Sequence, residues 1–262
     1  MSRQQQVFGT KNPVVLVTGA GAPRVGNGVA RALASRGYRV ALHANRSLDD
    51  AQATAEELHQ QGSKAIAVQA EMTDEAALAK MVADVHSHFG RIDALVNAAA
   101  IWNPIPLNEV TAADVRKNFE VNTLGTFVCC QQVGLLMAKQ PTGGAIVNFG
   151  DWAPVRPYVD YAAYFPSKGA IPTLTRSLAV ELAAQNRRIR VNAVLPGPVL
   201  LAADASDEKR REAIDSTLLK RVGTPQHVAD AVILLLENDF ITGVCLPVDG
   251  GRSIYAPENS AS

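Results

Sequence analysis

Val14-Val15-Leu16-Val17-Thr18-Gly19-Ala20-Gly21-Ala22-Pro23-Arg24-Val25-Gly26-Asn27-Gly28 runs from an apolar segment through a glycine-rich turn into a stretch of helical period. A short β-branched run of this kind reads as a strand covered on both faces. The glycines behind it allow a tight turn and close backbone approach, so that the following helix N-terminus faces an anion such as a pyrophosphate. Taken alone, the pattern leaves a plain turn open.

Six further apolar runs, at 39–43, 65–70, 92–97, 145–149, 190–195 and 243–248, alternate with longer helical stretches. Those at 25–36, 49–61 and 74–89 each stop at a glycine, the residue that most easily closes a helix. Another long helix is predicted over 112–139. Strand–helix–strand repeated with right-handed crossovers gives an α/β fold, a single doubly wound Rossmann domain over 13–252 with a seven-stranded parallel sheet. A polar, Gln-rich stretch at 1–12 is expected to be a flexible tail, and 253–262 a C-terminal one. The insertion at 198–220 breaks the rhythm and reads as a substrate lid or, more plainly, a surface helical hairpin.

Composition narrows the function. The 262 residues are 47% hydrophobic and carry 25 Lys plus Arg against 25 Asp plus Glu, so no bulk charge draws nucleic acid or an anionic membrane. The longest aliphatic run, 231–236, is far short of the roughly 20 residues a membrane span needs. Three cysteines, two of them adjacent at Cys129 and Cys130, fit neither a disulfide framework nor a metal knuckle, and a cytoplasmic location is expected. The histidines are scattered and imply no metal site, and the mixed charges of 207–212 read as a solvated helix face.

The second strand speaks to the coenzyme. It leads into Asn45-Arg46-Ser47, without the acid that normally holds the ribose hydroxyls of NAD. A guanidinium there suits a 2′-phosphate, so NADP(H) is favoured over NAD(H), with Arg24 a second phosphate partner. Glu71-Met72, after the third strand, is placed for the adenine edge, although Glu71 equally suits a helix cap.

Tyr164-Phe165-Pro166-Ser167-Lys168 sets a phenol and an ammonium four apart on one face of a helix running to about residue 184. A nearby cation stabilises a phenolate and brings its pKa toward neutrality, making Tyr164 a proton donor in reduction.

With these pieces in order the chain resembles the short-chain dehydrogenase/reductase family over nearly its whole length. The matching landmarks are the turn from Thr18 to Gly28, Val96-Asn97-Ala98-Ala99, Asn122, the Tyr164/Lys168 pair, Pro196-Gly197 and Val248-Asp249-Gly250-Gly251. The resemblance implies an oxidoreductase, a tetramer or dimer, Lys168 also on the nicotinamide ribose, and Asn122 supporting a proton relay through water. It places Thr18, Gly19, Val25, Gly26, Asn97, Ala98, Ala99, Pro196, Gly197 and Val199 beside the coenzyme and Leu200 on the substrate side.

Two departures stand out. The glycine turn is one residue longer than the family's Thr-Gly-x-x-x-Gly-x-Gly, and thirteen residues before Tyr164, where the family has serine, stands Asp151. A hydroxyl can donate to a developing alkoxide, whereas an ionised carboxylate repels it. Asp151 suits N–H groups of a heterocycle or, protonated, delivery of a proton to nitrogen. Pteridine reductases are similar: they have Asp in place of Ser, an Arg-Ser pair like Arg46-Ser47, an arginine like Arg24 and a closing run like Ile241-Thr242-Gly243-Val244-Cys245. Their ring-stacking aromatic has Trp102 as its nearest counterpart, although a packed or interfacial tryptophan is an equal reading. The catalytic set is then Tyr164, Lys168, Asp151 and Asn122, acting on a small-molecule pterin-like substrate. The alternatives are a 3-oxoacyl-[acyl-carrier-protein] reductase, in which Asp151 only caps a turn, and a non-catalytic NADP-binding regulator.

Overall fold

The structure is a computed structural model and describes residues 1–201 and 205–255. Seven strands, β1 (Val14–Thr18), β2 (Arg39–Ala44), β3 (Ala65–Gln69), β4 (Ala94–Asn97), β5 (Gly144–Phe149), β6 (Ile189–Pro196) and β7 (Cys245–Val248), form one sheet in the order β3-β2-β1-β4-β5-β6-β7. Every pairing is parallel. The chain winds outward from β1 to β3, then crosses back to lay β4 against the other side of β1. The carboxyl ends of β1 and β4 therefore border the crevice at which such sheets bind ligands.

Both faces are covered, which is why the strands read as unbroken apolar runs rather than alternating ones. Val15 and Val17 of β1 join a core with Leu33 of α2 (Val25–Ser35), Leu58 of α3 (Leu48–Gln60) and Leu235 of α9 (Pro225–Glu237). Val14 and Leu16 face the opposite core, with Val85 of α4 (Glu75–Phe89), Val133 of α6 (Gly125–Lys139) and Leu182 of α7 (Phe165–Gln185).

Several expectations are corrected. The stretch 1–12 is no loose tail: it holds α1 (Arg3–Phe8), capped by Ser2. Phe8 is buried edge-on to Tyr38, Gln4 Nε2 donates to the Arg36 carbonyl at 2.7 Å and Arg3 Nε to that of Glu237 at 2.7 Å. One buried apolar side chain and several polar tethers, the Arg3–Asp239 ion pair among them, fix a segment whose composition reads as tail. The long helix expected over 112–139 is present and continuous, but it is built as α5 (Ala112–Asn118), a π-helical stretch at Phe119–Leu124 and α6. Such π insertions cluster at functional sites, and this one carries Asn122. Within 198–220 the described residues form one helix, α8 (Asp207–Asp215), capped by Ser206; 202–204 lie outside the described residues. Of the expected C-terminal tail, Ser253 to Tyr255 fold into a turn, and 256–262 lie outside the described residues.

Asn27 positions the glycine turn. Its buried Nδ2 reaches the carbonyls of Ala20 (2.9 Å) and Gly21 (3.2 Å) and Thr54 Oγ1 (3.1 Å), while Arg31 Nε donates to its Oδ1. Asn27→Ala is expected to lower stability by about 1–3 kcal/mol, because it leaves buried carbonyls without donors. Calorimetry should show a thermal midpoint several degrees lower, and an unchanged midpoint would refute the role.

Candidate active site

At the carboxyl end of β1, Thr18 Oγ1 accepts hydrogen bonds from the amides of Ala98 (3.1 Å) and Ala99 (3.2 Å), tying the ends of β1 and β4 together. Gly19 takes φ 65°, and a Cβ there would stand 2.6 Å from Ala99 Cα. A Cβ on Gly26 would meet the Gly19 carbonyl oxygen at 2.5 Å. Gly19 and Gly26 thus bracket the longer turn, and the additional length is taken up between them. Gly28 instead makes room for Pro225 of α9.

α2 begins at Val25 with no side-chain cap from Arg24. The first amides of a helix lack intrahelical acceptors, so those of Val25 and Gly26 are available to an anion. Arg24 and Arg46 are both exposed, and neither makes an ion pair among the described residues. Ser47 Oγ accepts from the Ala22 amide at 3.1 Å and acts as a strut between the exit of β2 and the glycine turn.

Asn45 Nδ2 donates to Glu71 Oε2 at 2.6 Å, joining the ends of β2 and β3. Glu71 does not cap the next helix: Asp74 does, accepting from the Ala77 amide at 2.9 Å. Met72 is buried against Gly125.

The Asn97 side chain points into the core, donating to Asn148 Oδ1 at 3.0 Å and toward Cys130 Sγ at 3.2 Å. Asn148 continues the ladder to Thr175 Oγ1 at 3.1 Å. Strand alternation decides this, since Asn97 pairs in register with Asn148. Ala98, the next residue, is only partly buried at the crevice.

On the far side, the Gly197 amide donates to the Val248 carbonyl at 3.0 Å, and a Cβ at Gly197 would meet Asp249 Cα at 2.6 Å. This pins Pro196, the last residue of β6, to the end of β7. Val199 and Leu200 then line an open cleft of about 340 Å³ with Ile214 of α8 and Pro225 of α9.

The residues expected to be catalytic meet at the start of α7. Tyr164 Oη donates to Asp151 Oδ2 at 2.7 Å, and Asp151 Oδ1 accepts from the Ala153 amide at 2.8 Å. The carboxylate therefore caps a local turn and holds the phenol at once, one oxygen for each. Burial first, then the adjacent Asp151 charge, pushes the Tyr164 phenol well above its ordinary pKa. Burial likewise raises the Asp151 carboxyl above the usual carboxylate range.

Lys168 is buried, its ammonium donates among the described residues only to the Phe149 carbonyl at 2.8 Å, and it is pulled down to about 8 by burial. The expectation that Lys168 brings Tyr164 toward neutrality is thus reversed here. The phenol pairs with a carboxylate, and the charge of Lys168 acts on Asp151 instead.

Asn122 Oδ1 accepts from the Ile101 amide at 2.9 Å, while its Nδ2 donates to the Ile101 carbonyl at 3.1 Å and Ser167 Oγ at 3.0 Å. Its side chain latches the segment after β4 to α7. That latch presents Trp102, which is 55% exposed and stacked on Tyr161 with centroids 5.3 Å apart. One indole face is packed.

Sequence reading missed the surrounding aromatics. Trp152 stacks on Tyr158, Tyr158 meets Tyr161 and Phe165 edge-on, and Tyr161 meets Tyr164. Five aromatic residues within 152–165 of a chain only 5% aromatic were the available signal. His43 was missed too. It accepts from the Gly19 amide at Nδ1 (3.2 Å), so Nε2 carries the hydrogen toward the Ala70 carbonyl (3.0 Å), and burial keeps it neutral.

The chain is matched over residues 20–253 by the family model described as enoyl-(acyl carrier protein) reductase. A rat 3-oxoacyl-[acyl-carrier-protein] reductase is 35% identical over 237 residues, covering 90% of this chain and 96% of that protein. Pteridine reductase 1 of Leishmania tarentolae is 34% identical over an alignment of 288 residues, covering 92% and 96%. The structure of 7α-hydroxysteroid dehydrogenase complexed with NADH and 7-oxo glycochenodeoxycholic acid superposes with a TM-score of 0.84 at 30% identity, covering 91% and 93%.

An uncapped helix N-terminus, two guanidinium groups without ion pairs and a buried ammonium with one acceptor fit a dinucleotide carrying phosphates and ribose hydroxyls. The charge of Lys168 is lost as pH rises through about 8. Dinucleotide affinity, followed by NADPH fluorescence, is expected to fall above that pH in the native protein and to lose this dependence in Lys168→Ala. A flat profile in the native protein would show that the ammonium plays no part.

Proposed function

The chain belongs to the short-chain dehydrogenase/reductase family, and from that premise we propose that it is an NADPH-dependent reductase of a C=N or C=O bond, with a pterin-like amino-heterocycle preferred. The observation that carries this is the 2.7 Å hydrogen bond from Tyr164 to Asp151. It sets a carboxylate where an alkoxide-stabilising hydroxyl would serve a ketone.

The coenzyme, when bound, supplies the hydride to carbon. Arg24, Arg46 and the first amides of α2 would hold its phosphates, and Lys168 its nicotinamide ribose. Tyr164 gives its proton to the substrate nitrogen, so that the C=N π bond is replaced by C–H and N–H bonds. A phenolate beside an ionised carboxylate would be costly in so buried a place. Asp151 holds the Tyr164 hydroxyl through Oδ2, burial raises its carboxyl above the usual carboxylate range, and Tyr164 recovers its proton from water. The same carboxyl accepts from ring or exocyclic N–H groups, and the exposed face of Trp102 offers a platform for the flat ring.

A ketone substrate is the second reading. It is favoured by the rat relative and by the capping bond from Ala153, which gives Asp151 a structural reason to be present. A non-catalytic NADP-binding regulator would need neither Tyr164 nor Lys168, and the relatives are oxidoreductases. We place the protein in the cytoplasm as a dimer or tetramer, with exposed Leu135 of α6 and Val180 of α7 as apolar area for a second copy.

Tyr164→Phe should lower NADPH-dependent turnover of a dihydropterin by about 10²–10⁴-fold. Undiminished turnover would remove Tyr164 from the chemistry. Asp151→Ser should cost most of the dihydropterin activity and little of any acetoacetyl thioester activity; the opposite pattern would favour the ketone reading. Arg46→Ala is expected to weaken NADPH at least tenfold more than NADH, and equal losses would overturn the coenzyme assignment.

A further inference from the structure

Beyond β7 the segment Asp249-Gly250-Gly251-Arg252-Ser253 forms a locked turn. Asp249 Oδ1 accepts from the Gly251 amide at 2.9 Å and Oδ2 from the Ser253 amide at 2.7 Å, while Gly250 and Gly251 take φ 64° and 80°. The Arg252 carbonyl accepts from Arg156 Nη1 at 3.0 Å. With its backbone fixed, Arg252 spreads its guanidinium over the Trp152 ring, with Cζ 4.2 Å from the centroid. Trp152 is the residue after Asp151 and is itself buried.

The charged and titratable groups facing this guanidinium are Asp151, Tyr158, Arg156 and, from α8, Glu212. None of the carboxylates reaches ion-pair distance, and among the described residues the guanidinium donates no hydrogen bond. Burial already works against its charge. A guanidinium partly removed from water, held rigid and left without a counter-anion is costly unless a ligand supplies one. Its planar fork matches a carboxylate bidentately. Asp151 and Glu212 nearby oppose a dianion, so a monoanionic carboxylate fits a single guanidinium better than a phosphate ester does.

We propose that Arg252 is a specificity-determining residue that receives a carboxylate of the substrate, on the Trp152 face, while the reacting bond lies at Tyr164 and Asp151. The position of the reacting bond rests on the reductase reading; the carboxylate subsite rests on Arg252 and Trp152. The substrate class is then a flat heterocycle or other small unsaturated compound with an acidic substituent.

The test is a titration of the NADPH-loaded protein, followed by calorimetry, with pterin-6-carboxylate and with neutral 6-methylpterin. Arg252→Ala is expected to weaken the carboxylate at least tenfold and 6-methylpterin less than twofold, with Arg252→Lys intermediate and NADPH affinity kept in both variants. Equal weakening of the two ligands, or none for the carboxylate, overturns the proposal. If the native protein binds neither pterin, the heterocycle reading fails, and benzoate against benzamide becomes the probe pair. A preference for benzoate that disappears in Arg252→Ala sustains the carboxylate subsite, and absence of that preference overturns it.

Discussion

The site depends on one hydroxyl. Thr18 Oγ1 accepts the amides of Ala98 and Ala99 and so closes the end of β1 onto the end of β4, the two strands between which the chain reverses its direction of winding. A parallel sheet gathers its carboxyl ends on one edge, but only at this reversal do the connecting helices diverge and leave a crevice. Because the Thr18 bond consumes two amides, the anion-binding donors must come from elsewhere. The amides left without intrahelical acceptors are those at the uncapped start of α2, held in place by Asn27 below it and by Gly26 packed on Gly19.

A second consequence runs along β4. The segment leaving this strand is caught by Asn122, whose amide meets both the amide and the carbonyl of Ile101 and also Ser167 of α7. Ser167 Oγ in turn donates to the Tyr164 carbonyl at 2.7 Å. Tyr164 is therefore placed by a chain of contacts that begins at the strand reversal. The π-helical stretch at Phe119–Leu124 is what carries Asn122 into this chain between α5 and α6.

What could be read from the sequence was what local periodicity and spacing encode. Strands buried on both faces announce themselves as apolar runs, Tyr164 and Lys168 share a helical face by their spacing, and Asp151 stands out by its chemistry. Features set by contact between distant segments were not legible. The docking of α1 turns on Phe8 finding Tyr38, the inward turn of Asn97 on its register with Asn148, and the place of Arg252 on a residue a hundred positions earlier in the chain. The raised pKa of Tyr164 was hidden for the same reason, since the Tyr–Lys spacing says nothing of a carboxylate arriving from the end of β5.

The charges around Asp151 explain why a carboxylate can stand in this place at all. Lys168 and Arg252 both lower its pKa from opposite neighbours, one a buried ammonium and the other a guanidinium stacked on Trp152, while burial raises it and wins. An isolated buried carboxylate would simply stay protonated, and one tightly ion-paired would stay ionised. Asp151 has one oxygen anchored by the Ala153 amide and the other on the Tyr164 hydroxyl. A carboxylate here thus presents hydrogen-bond acceptors to the Tyr164 hydroxyl and the Ala153 amide where a serine would present a hydroxyl.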